Sequence, residues 1–233
     1  MPEQKPSVQM LSLSLVVGLA AAIGALLFLA WLADEVPEGE LRHFDDSTRA
    51  AVHQFASPFL TSSMLRISFL GSTLFLTALT VVVVLCFALR RWKREAILFG
   101  ITMVGAASLD VTLKYVFHRA RPVPFFDIVA PNSYSFPSGH ALASFCFYGA
   151  LAAILTTRIK NRRAQVVMWT ISAVLVFLIG LSRVYLGVHY TTDVLAGFSA
   201  ALIWIVTVGF VEQRLASRRR QKTLAEKNGR PLA

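Results

Sequence analysis

Six long runs of apolar residues limit what this chain can fold into more than any other feature of the sequence. A helix needs about 20 apolar residues to span the roughly 30 Å hydrocarbon core of a bilayer. The chain is 55% hydrophobic and 15% charged, with a mean hydropathy of +0.60, which is too apolar for an ordinary soluble domain. The sequence therefore predicts an all-α polytopic membrane protein. The six predicted transmembrane helices are residues 10–33, 67–89, 96–117, 141–157, 166–186 and 194–211.

The first run invites comparison with a secretory signal peptide. Its apolar stretch is longer than such a signal needs, and "LAWLADEV" has no clear small-x-small cleavage site. We therefore expect a retained helix. No repeat or linker separates the runs, so the chain is predicted to form one domain, residues 1–212, followed by a frayed basic cytoplasmic tail, residues 213–233. Cys86 and Cys146 lie within apolar runs and are expected to pack in the core.

The distribution of charge predicts how the chain crosses the membrane. Most of its 23 Lys and Arg residues lie at the termini and in the segments 90–94 and 158–163, whereas the connection 34–46 is acidic. Cytoplasmic loops collect basic residues, so both termini and these two basic loops are predicted to be cytoplasmic. We interpret the basic segments as topology anchors next to anionic headgroups, and no nucleic-acid partner is expected.

Between the first two runs, residues 44–60 have the pattern of a short amphipathic helix lying in the membrane interface. Asp46 or Ser47 is positioned to cap its start. Its predicted apolar face consists of Val52, Phe55 and Ala56. Whether this segment also guides a lipid towards a site is left open.

Three stretches place ionisable residues at the outer ends of apolar runs: "DVTLKYVFHRARP", "FPSGHA" and "SRVYLGVHYTTD". A single Arg or His at such a place can simply extend towards the headgroups. Three clusters in successive connections on one face favour a functional site, because charge inside a membrane is expensive. We therefore expect the three stretches to converge.

The cations in these stretches are suited to binding phosphate. Lys114 and Arg121 are seven residues apart, about two helical turns, so both can point the same way before Pro122, and Arg183 adds a second guanidinium. Arginine matches phosphate oxygens with a bidentate fork, and lysine supplies a compact charge. Ser138 and Gly139 are predicted at a helix start, where free backbone N–H groups also favour an anion.

The histidines add the chemistry of phosphoryl transfer. His189 and Asp193 are four residues apart, so the carboxylate can hold one imidazole nitrogen as N–H and leave the other free to attack. His140 comes from another helix and is positioned to donate a proton to the leaving group. The alternative for His189 and Asp193 is a structural hydrogen bond at a helix start.

The remaining polar residues in these stretches carry weaker predictions. Asp110 precedes Lys114 by one turn, and we expect it to neutralise that lysine within the helix. His118 and Arg119 are ambiguous and are not assigned to the site. No pattern of a catalytic metal site is present in the sequence, and neither a metal nor a cofactor is expected.

These residues resemble the three signatures of the phosphatidic acid phosphatase type 2 superfamily, K-x6-R-P, P-S-G-H and S-R-x5-H-x3-D, and every key position matches in order between Lys114 and Asp193. The resemblance implies a six-helix membrane fold and metal-independent hydrolysis of lipid phosphates through a phosphohistidine. It implies that His189 is the nucleophile, His140 the acid and Asp193 the orienting residue. The phosphate-binding residues it implies are Lys114, Arg121, Ser138, Gly139 and Arg183. Thr191 stands where many members have proline.

The sequence thus predicts a lipid phosphatase at the outer face of the cell membrane. A transporter or channel that uses Asp110, Lys114 and Arg183 as a charged path is the alternative of another class. A vanadate-dependent haloperoxidase would share the anion pocket, but six spans favour a lipid substrate. Undecaprenyl diphosphate, phosphatidylglycerol phosphate, phosphatidic acid and lipid A phosphates stay open as substrates, and the oligomeric state is not predicted.

Overall fold

The computed structural model describes residues 8–129 and 131–227, and all regular structure within those residues is α-helical. Along this part of the chain the helices are α1 (Val8–Glu38), α2 (Arg42–His53), α3 (Pro58–Phe69), α4 (Thr73–Leu89), α5 (Lys93–Phe117), α6 (Gly139–Thr156), α7 (Arg162–Tyr185) and α8 (Thr191–Lys227).

Five helices, α1, α5, α6, α7 and α8, contain a segment long and apolar enough to cross a membrane. The pair α3 and α4, bent by 45° at the break between them, forms a sixth span if the two are counted together. The prediction of an all-α multi-pass membrane protein is confirmed. The predicted second span, residues 67–89, is a broken one, because Ser72 ends the turn and its side chain caps α4 by accepting from the Phe75 N–H at 3.3 Å.

A short helix lies between the first two spans as predicted, but its bounds differ from residues 44–60, and of the predicted apolar face only Val52 lies in the helix and packs against other apolar side chains. Helix α2 begins at Arg42 after Leu41 and has no side-chain cap, so neither Asp46 nor Ser47 caps it. It ends at His53, and a new helix begins at Pro58 behind an extended Ser57, because proline starts a helix readily but disfavours helical geometry in the residue before it.

Phe55 and Ala56 therefore lie outside the helix, and Phe55 is 73% exposed. The α2 residues that are buried are instead the polar Asp45 and Arg49.

Helices α6 and α8 form the centre of the bundle. They meet through small and medium side chains, and Gly197 of α8 is so close to α6 that an added methyl group would lie 2.7 Å from the Ser138 carbonyl oxygen. Leu142, Cys146, Ala200 and Ala201 extend this contact as a buried cluster. Cys146 is thus in the core as predicted, whereas Cys86 is exposed on α4.

Two pairs of small residues four apart in the sequence, Gly139 with Ala143 and Ala196 with Ala200, predict a close approach of α6 and α8, but only some of these residues lie in that contact. Ala200 is buried between the two helices, but Ala196 packs with Leu32 of α1, and Gly139 faces Asp110 of α5. The residue that allows the closest approach is Gly197, one position further along α8.

The basic segment after Glu212 differs from the expected frayed tail. It continues α8 without a break to Lys227, while residues 228–233 lie outside the described part of the chain. At this end of the bundle Arg94 pairs with Glu212, and Arg158 pairs with Glu95.

Candidate active site

The three polar stretches meet at one end of the bundle. Helix α5 delivers Lys114 near its last turn, α6 delivers its N-terminus, and the turn between α7 and α8 delivers His189. The stretches contact one another directly: Arg121 lies 2.9 Å from His189, and the Ser138 N–H donates to the Asp193 carbonyl at 2.9 Å. The convergence expected from the sequence is therefore observed.

The local backbone explains why His189 faces inward. Helix α7 ends at Tyr185 with Leu186 as its C-cap, and Gly187 follows with φ +73°, a left-handed conformation that glycine adopts without strain. A methyl group on Gly187 would also lie 2.7 Å from the backbone nitrogen of Phe125. The turn closes with the Val188 and His189 N–H groups both donating to the Arg183 carbonyl. The result is a compact turn that carries His189 directly from the end of α7.

The surroundings of His189 fix its tautomer. Its Nε2 lies 2.9 Å from a terminal nitrogen of Arg121, which can only donate, so Nε2 accepts and carries no proton. Its Nδ1 lies 3.3 Å from Asp193 Oδ2 and acts as the donor. The ring is 1% exposed. His189 therefore presents the lone pair of Nε2 to the Arg121 side of the site.

Burial also sets the charge of His189. It lowers the pKa of the imidazole to about 4, and the opposing attraction of the Asp193 carboxylate only partly offsets it. Because this value is well below the ordinary pKa near 6.5, the ring is neutral near pH 7. A neutral imidazole is the form that can attack phosphorus.

Arg121 is held by the loop that precedes α6. It donates to the Ser133 carbonyl at 2.7 Å, to the Ser133 hydroxyl at 3.0 Å and to the Tyr134 carbonyl at 3.2 Å. A further bond of 3.0 Å reaches the Val188 carbonyl. The planar fork is therefore fixed beside the nucleophile before any substrate arrives.

Arg183 and Ser138 each have an unsatisfied polar atom in the site. Arg183 is 7% exposed and donates to the Ser68 hydroxyl at 2.5 Å, but its buried Nε has no partner among the described residues. Ser138 precedes α6 and is completely buried, and within the described part of the chain its hydroxyl has no partner either. Buried polar groups are normally hydrogen-bonded, so each of these atoms has a hydrogen-bonding capacity that no described residue uses.

Lys114 and Asp110 form the ion pair expected from their spacing. The Lys114 ammonium lies 2.6 and 2.7 Å from the two carboxylate oxygens. The same carboxylate rests on Gly139, where an added methyl group would approach an Asp110 oxygen to 2.7 Å. Gly139 thus makes room for Asp110 at the start of α6, and an anionic side chain lies among the cations.

His140, the expected acid, is in the first turn of α6. Its ring packs against the break between α3 and α4, with Cδ2 3.4 Å from the position of a methyl group added to Gly71. Within the described residues His140 has no hydrogen bond to another side chain. It is the histidine of the site that is not held by a carboxylate.

Three polar residues near Asp193 are not among the predicted site residues: Asp45 and Ser135 were missed, and Arg119 was left unassigned. Arg119 donates to Asp193 Oδ1 at 2.5 Å and to Asp45 Oδ2 at 2.7 Å, and the Ser135 hydroxyl donates to Asp193 Oδ2. Arg119 and Ser135 adjoin the recognised motifs and could have been suspected from that position. Asp45 is 74 residues from Arg119, so no local pattern in the sequence points to it.

A cavity of about 720 Å³ opens on the site between the end of α5 and the loop before α6. Polar residues on its wall are Asp110, Lys114, Arg119, Arg121, Asn132 and Ser133. Within residues 8–129 and 131–227, no three His, Cys, Asp or Glu side chains come together in a way that could hold a metal ion.

The chain is similar to a known family and to several known enzymes. The family model described as the PAP2 superfamily matches residues 95–215. The chain is 31% identical to phosphatidylglycerophosphatase B of Bacillus subtilis over 86% of this chain and 98% of that protein. It is 34% identical to undecaprenyl-diphosphatase of Sulfolobus acidocaldarius over 47% of this chain and 51% of that protein.

A solved structure is similar as well. The transmembrane PAP2 type phosphatidylglycerolphosphate phosphatase from Bacillus subtilis superposes with a TM-score of 0.77 at 30% identity, covering 83% of this chain and 96% of the other. The structural similarity therefore extends well beyond the three motifs.

Proposed function

Because the chain belongs to the PAP2 superfamily, we propose that it hydrolyses phosphate monoesters or diphosphates of lipids through a phosphohistidine on His189. Its class as a membrane lipid phosphatase agrees with the prediction from the sequence. The observation that carries the mechanism is the His189 environment, with Nδ1 directed at Asp193 and an unprotonated Nε2 beside Arg121.

In the first step, Nε2 of His189 attacks phosphorus while the bond between phosphorus and the lipid oxygen breaks. A new P–N bond forms, and the departing oxygen takes a proton from His140. Asp193 stabilises the charge that develops on the His189 ring. Arg121, Arg183 and Lys114 neutralise charge on the phosphoryl oxygens, as positioned cations do in phosphoryl transfer.

In the second step, a water molecule attacks the phosphohistidine, the P–N bond breaks and phosphate leaves. His140, now neutral, takes the proton from that water. Each histidine therefore returns to its starting state. The free Ser138 hydroxyl and the N–H groups at the start of α6 supply further donors to the phosphoryl oxygens.

The substrate is proposed to be a lipid phosphate at the outer face of the cell membrane. The similar proteins include a phosphatidylglycerophosphatase, an undecaprenyl-diphosphatase and a lipid A 1-phosphatase from Rhizobium johnstonii. Their common chemistry is a terminal phosphoryl group on an amphiphile. The transporter alternative is disfavoured, because Lys114 is paired with Asp110 and both line the same cavity as Arg121 rather than a path across the bundle.

The test is phosphate release from purified protein with EDTA present. Phosphatidylglycerol phosphate, phosphatidic acid and undecaprenyl diphosphate are offered to wild type and to His189→Ala. We expect turnover of at least one lipid by wild type and none by the variant. Activity that requires added Mg²⁺, or a His189→Ala protein that still turns over, would overturn the mechanism.

The role of His140 is tested by changing the leaving group. A lipid alcohol is a poor leaving group that needs a proton, whereas nitrophenolate leaves with little assistance. His140→Ala should therefore lose far more activity on phosphatidic acid than on nitrophenyl phosphate. Equal losses on both substrates would show that His140 does not act as the acid.

A further inference from the structure

Asp45 is a buried carboxylate far in sequence from the three motifs. It lies in the first turn of α2 and is completely shielded from solvent. The Thr192 N–H donates to its Oδ1 at 2.9 Å, and the Thr192 hydroxyl donates to its Oδ2 at 2.7 Å. Asp45 therefore attaches α2 to the start of α8, one residue before Asp193.

Arg119 joins this carboxylate to the active site. One terminal nitrogen lies 2.7 Å from Asp45 Oδ2, and the other lies 2.5 Å from Asp193 Oδ1 and 2.8 Å from the Thr192 hydroxyl. The guanidinium also stacks over the Tyr190 ring at 4.1 Å. A single cation is thus shared between two carboxylates that are both 0% exposed.

Hydrogen-bond donors contact both carboxylate oxygens of Asp193. Arg119 takes Oδ1, while Oδ2 accepts from the Ser135 hydroxyl and from the Tyr190 N–H at 2.9 Å and faces Nδ1 of His189 at 3.3 Å. A carboxylate with this many donors cannot rotate, so the ring it orients is also fixed. The positive charge of Arg119 also affects His189, because it offsets the attraction that the Asp193 carboxylate exerts on a proton at the ring.

We propose that Arg119, held in place by Asp45, is a positioning residue that acts through Asp193 to keep His189 oriented and uncharged. The proposal rests on the function proposed above, since it assigns a role within the same site. It also makes α2 part of the catalytic apparatus, although α2 contributes no group that touches the substrate.

The sign of the expected pH effect follows from the charges that face His189. These groups are Asp193 on α8, Arg121 in the preceding loop, Arg183 on α7 and His140 on α6. Removing the Arg119 charge strengthens the net negative field of Asp193, so protonation of His189 becomes easier. The acid limb of kcat/KM then moves to higher pH. Removing the Asp45 charge means that Arg119 is no longer shared between two carboxylates, so its cation counters Asp193 more strongly. Protonation of His189 then becomes harder, and the acid limb moves to lower pH.

The experiment measures pH profiles of purified full-length protein on phosphatidic acid in mixed micelles. Arg119→Gln is expected to lower kcat with little change in KM, because the nucleophile is less well oriented, and to move the acid limb up by roughly one pH unit. Arg119→Lys keeps the charge but cannot reach both carboxylates, so kcat should fall while the limb stays at its wild-type pH. Asp45→Asn should move the limb down.

The matched control is Arg94→Gln, which removes an arginine from the pair with Glu212 at the opposite end of the bundle and should leave both the rate and the profile unchanged. A wild-type acid limb in Arg119→Gln, or shifts in the same direction for Arg119→Gln and Asp45→Asn, would overturn the proposal. Should wild type itself be inactive, or His189→Ala active, the proposed function would fail instead.

Discussion

Asp110 places a negative charge among the cations that are expected to hold phosphate. Its carboxylate is bound to Lys114 and rests on Gly139 at the start of α6. A phosphoryl group entering the site meets this charge, and like charges at short range in a partly buried site repel by on the order of 1 kcal/mol or more. Asp110 is therefore expected to weaken the binding of phosphate anions.

The first prediction is that Asp110→Asn binds orthovanadate and inorganic phosphate more tightly, by on the order of tenfold. The measurement is the inhibition constant of each anion against lipid hydrolysis. Glu95→Gln is the control, because Glu95 lies on the same helix but pairs with Arg158 at the other end of the bundle. Unchanged or weaker inhibition in Asp110→Asn would show that the carboxylate mainly holds Lys114 in position.

At the scale of single residues, the sequence predicts the side chains that would contact the reacting groups. It does not predict the side chains that hold them in place. His189 and Asp193 are four apart on the chain, so their contact follows from helical spacing. Arg119 and Ser135 contact Asp193, and Asp45 contacts Arg119, so three separate segments of the chain support this carboxylate and only the folded chain brings them together. The unsatisfied atoms of Ser138 and Arg183 are likewise a property of packing.

At the scale of elements, the breaks between helices shape the site. Residues 67–89 were expected to form one continuous span, but the turn between α3 and α4 falls within this range and brings Gly71 against the His140 ring. Ser57 and Ser72 cap the helices that follow them. Both serines could be read as caps from the sequence. However, the hydropathy of residues 67–89 favours one continuous span, so the break at Ser72 was not predicted.

Gly197 provides a prediction about the contact between α6 and α8. A methyl group there would lie 2.7 Å from the Ser138 carbonyl oxygen and 3.0 Å from Ala141 Cβ, so Gly197→Ala must push apart the helices that carry His140 and Asp193. We expect a loss of activity of about 100-fold, because small displacements of reacting groups are costly, with the protein still inserted and helical. Phosphate release per folded protein, with helicity measured by circular dichroism, is the test.

The control for this substitution is Gly100→Ala, since among the described residues, apart from its chain neighbours and the adjacent backbone of its own helix, no atom lies within 4 Å of a methyl group added at Gly100. Alanine there should leave activity unchanged, and as a better helix former it should not weaken α5. Equal activity in Gly197→Ala and Gly100→Ala would show that the close approach of α6 and α8 is not needed.

At the scale of the whole molecule, the charge asymmetry leads to a prediction of orientation. Arg94 and Arg158 lie at the end of the bundle opposite the site, near the basic continuation of α8. Because basic segments remain in the cytoplasm, both termini and the loops around Arg90 and Lys160 should be inside, with His189 at the outer face. Single cysteines, placed after Cys86 and Cys146 are replaced by Ser, would report this.

An impermeant thiol reagent on intact cells should label a cysteine at Gly39 but not one at Arg90. The opposite labelling pattern would invert the topology and place the site at the cytoplasmic face. Its chemistry would be unaffected, because the contacts of His189 do not depend on which side of the membrane it faces.

The central claim is a covalent intermediate on His189, and trapping that intermediate tests it most directly. Purified protein is mixed with phosphatidic acid carrying a radioactive phosphate and quenched in alkali. We predict that wild type carries label that is stable in alkali and released by acid, as a P–N bond requires, and that His189→Ala carries none. Label that persists on His189→Ala, or that resists acid on wild type, would contradict the account.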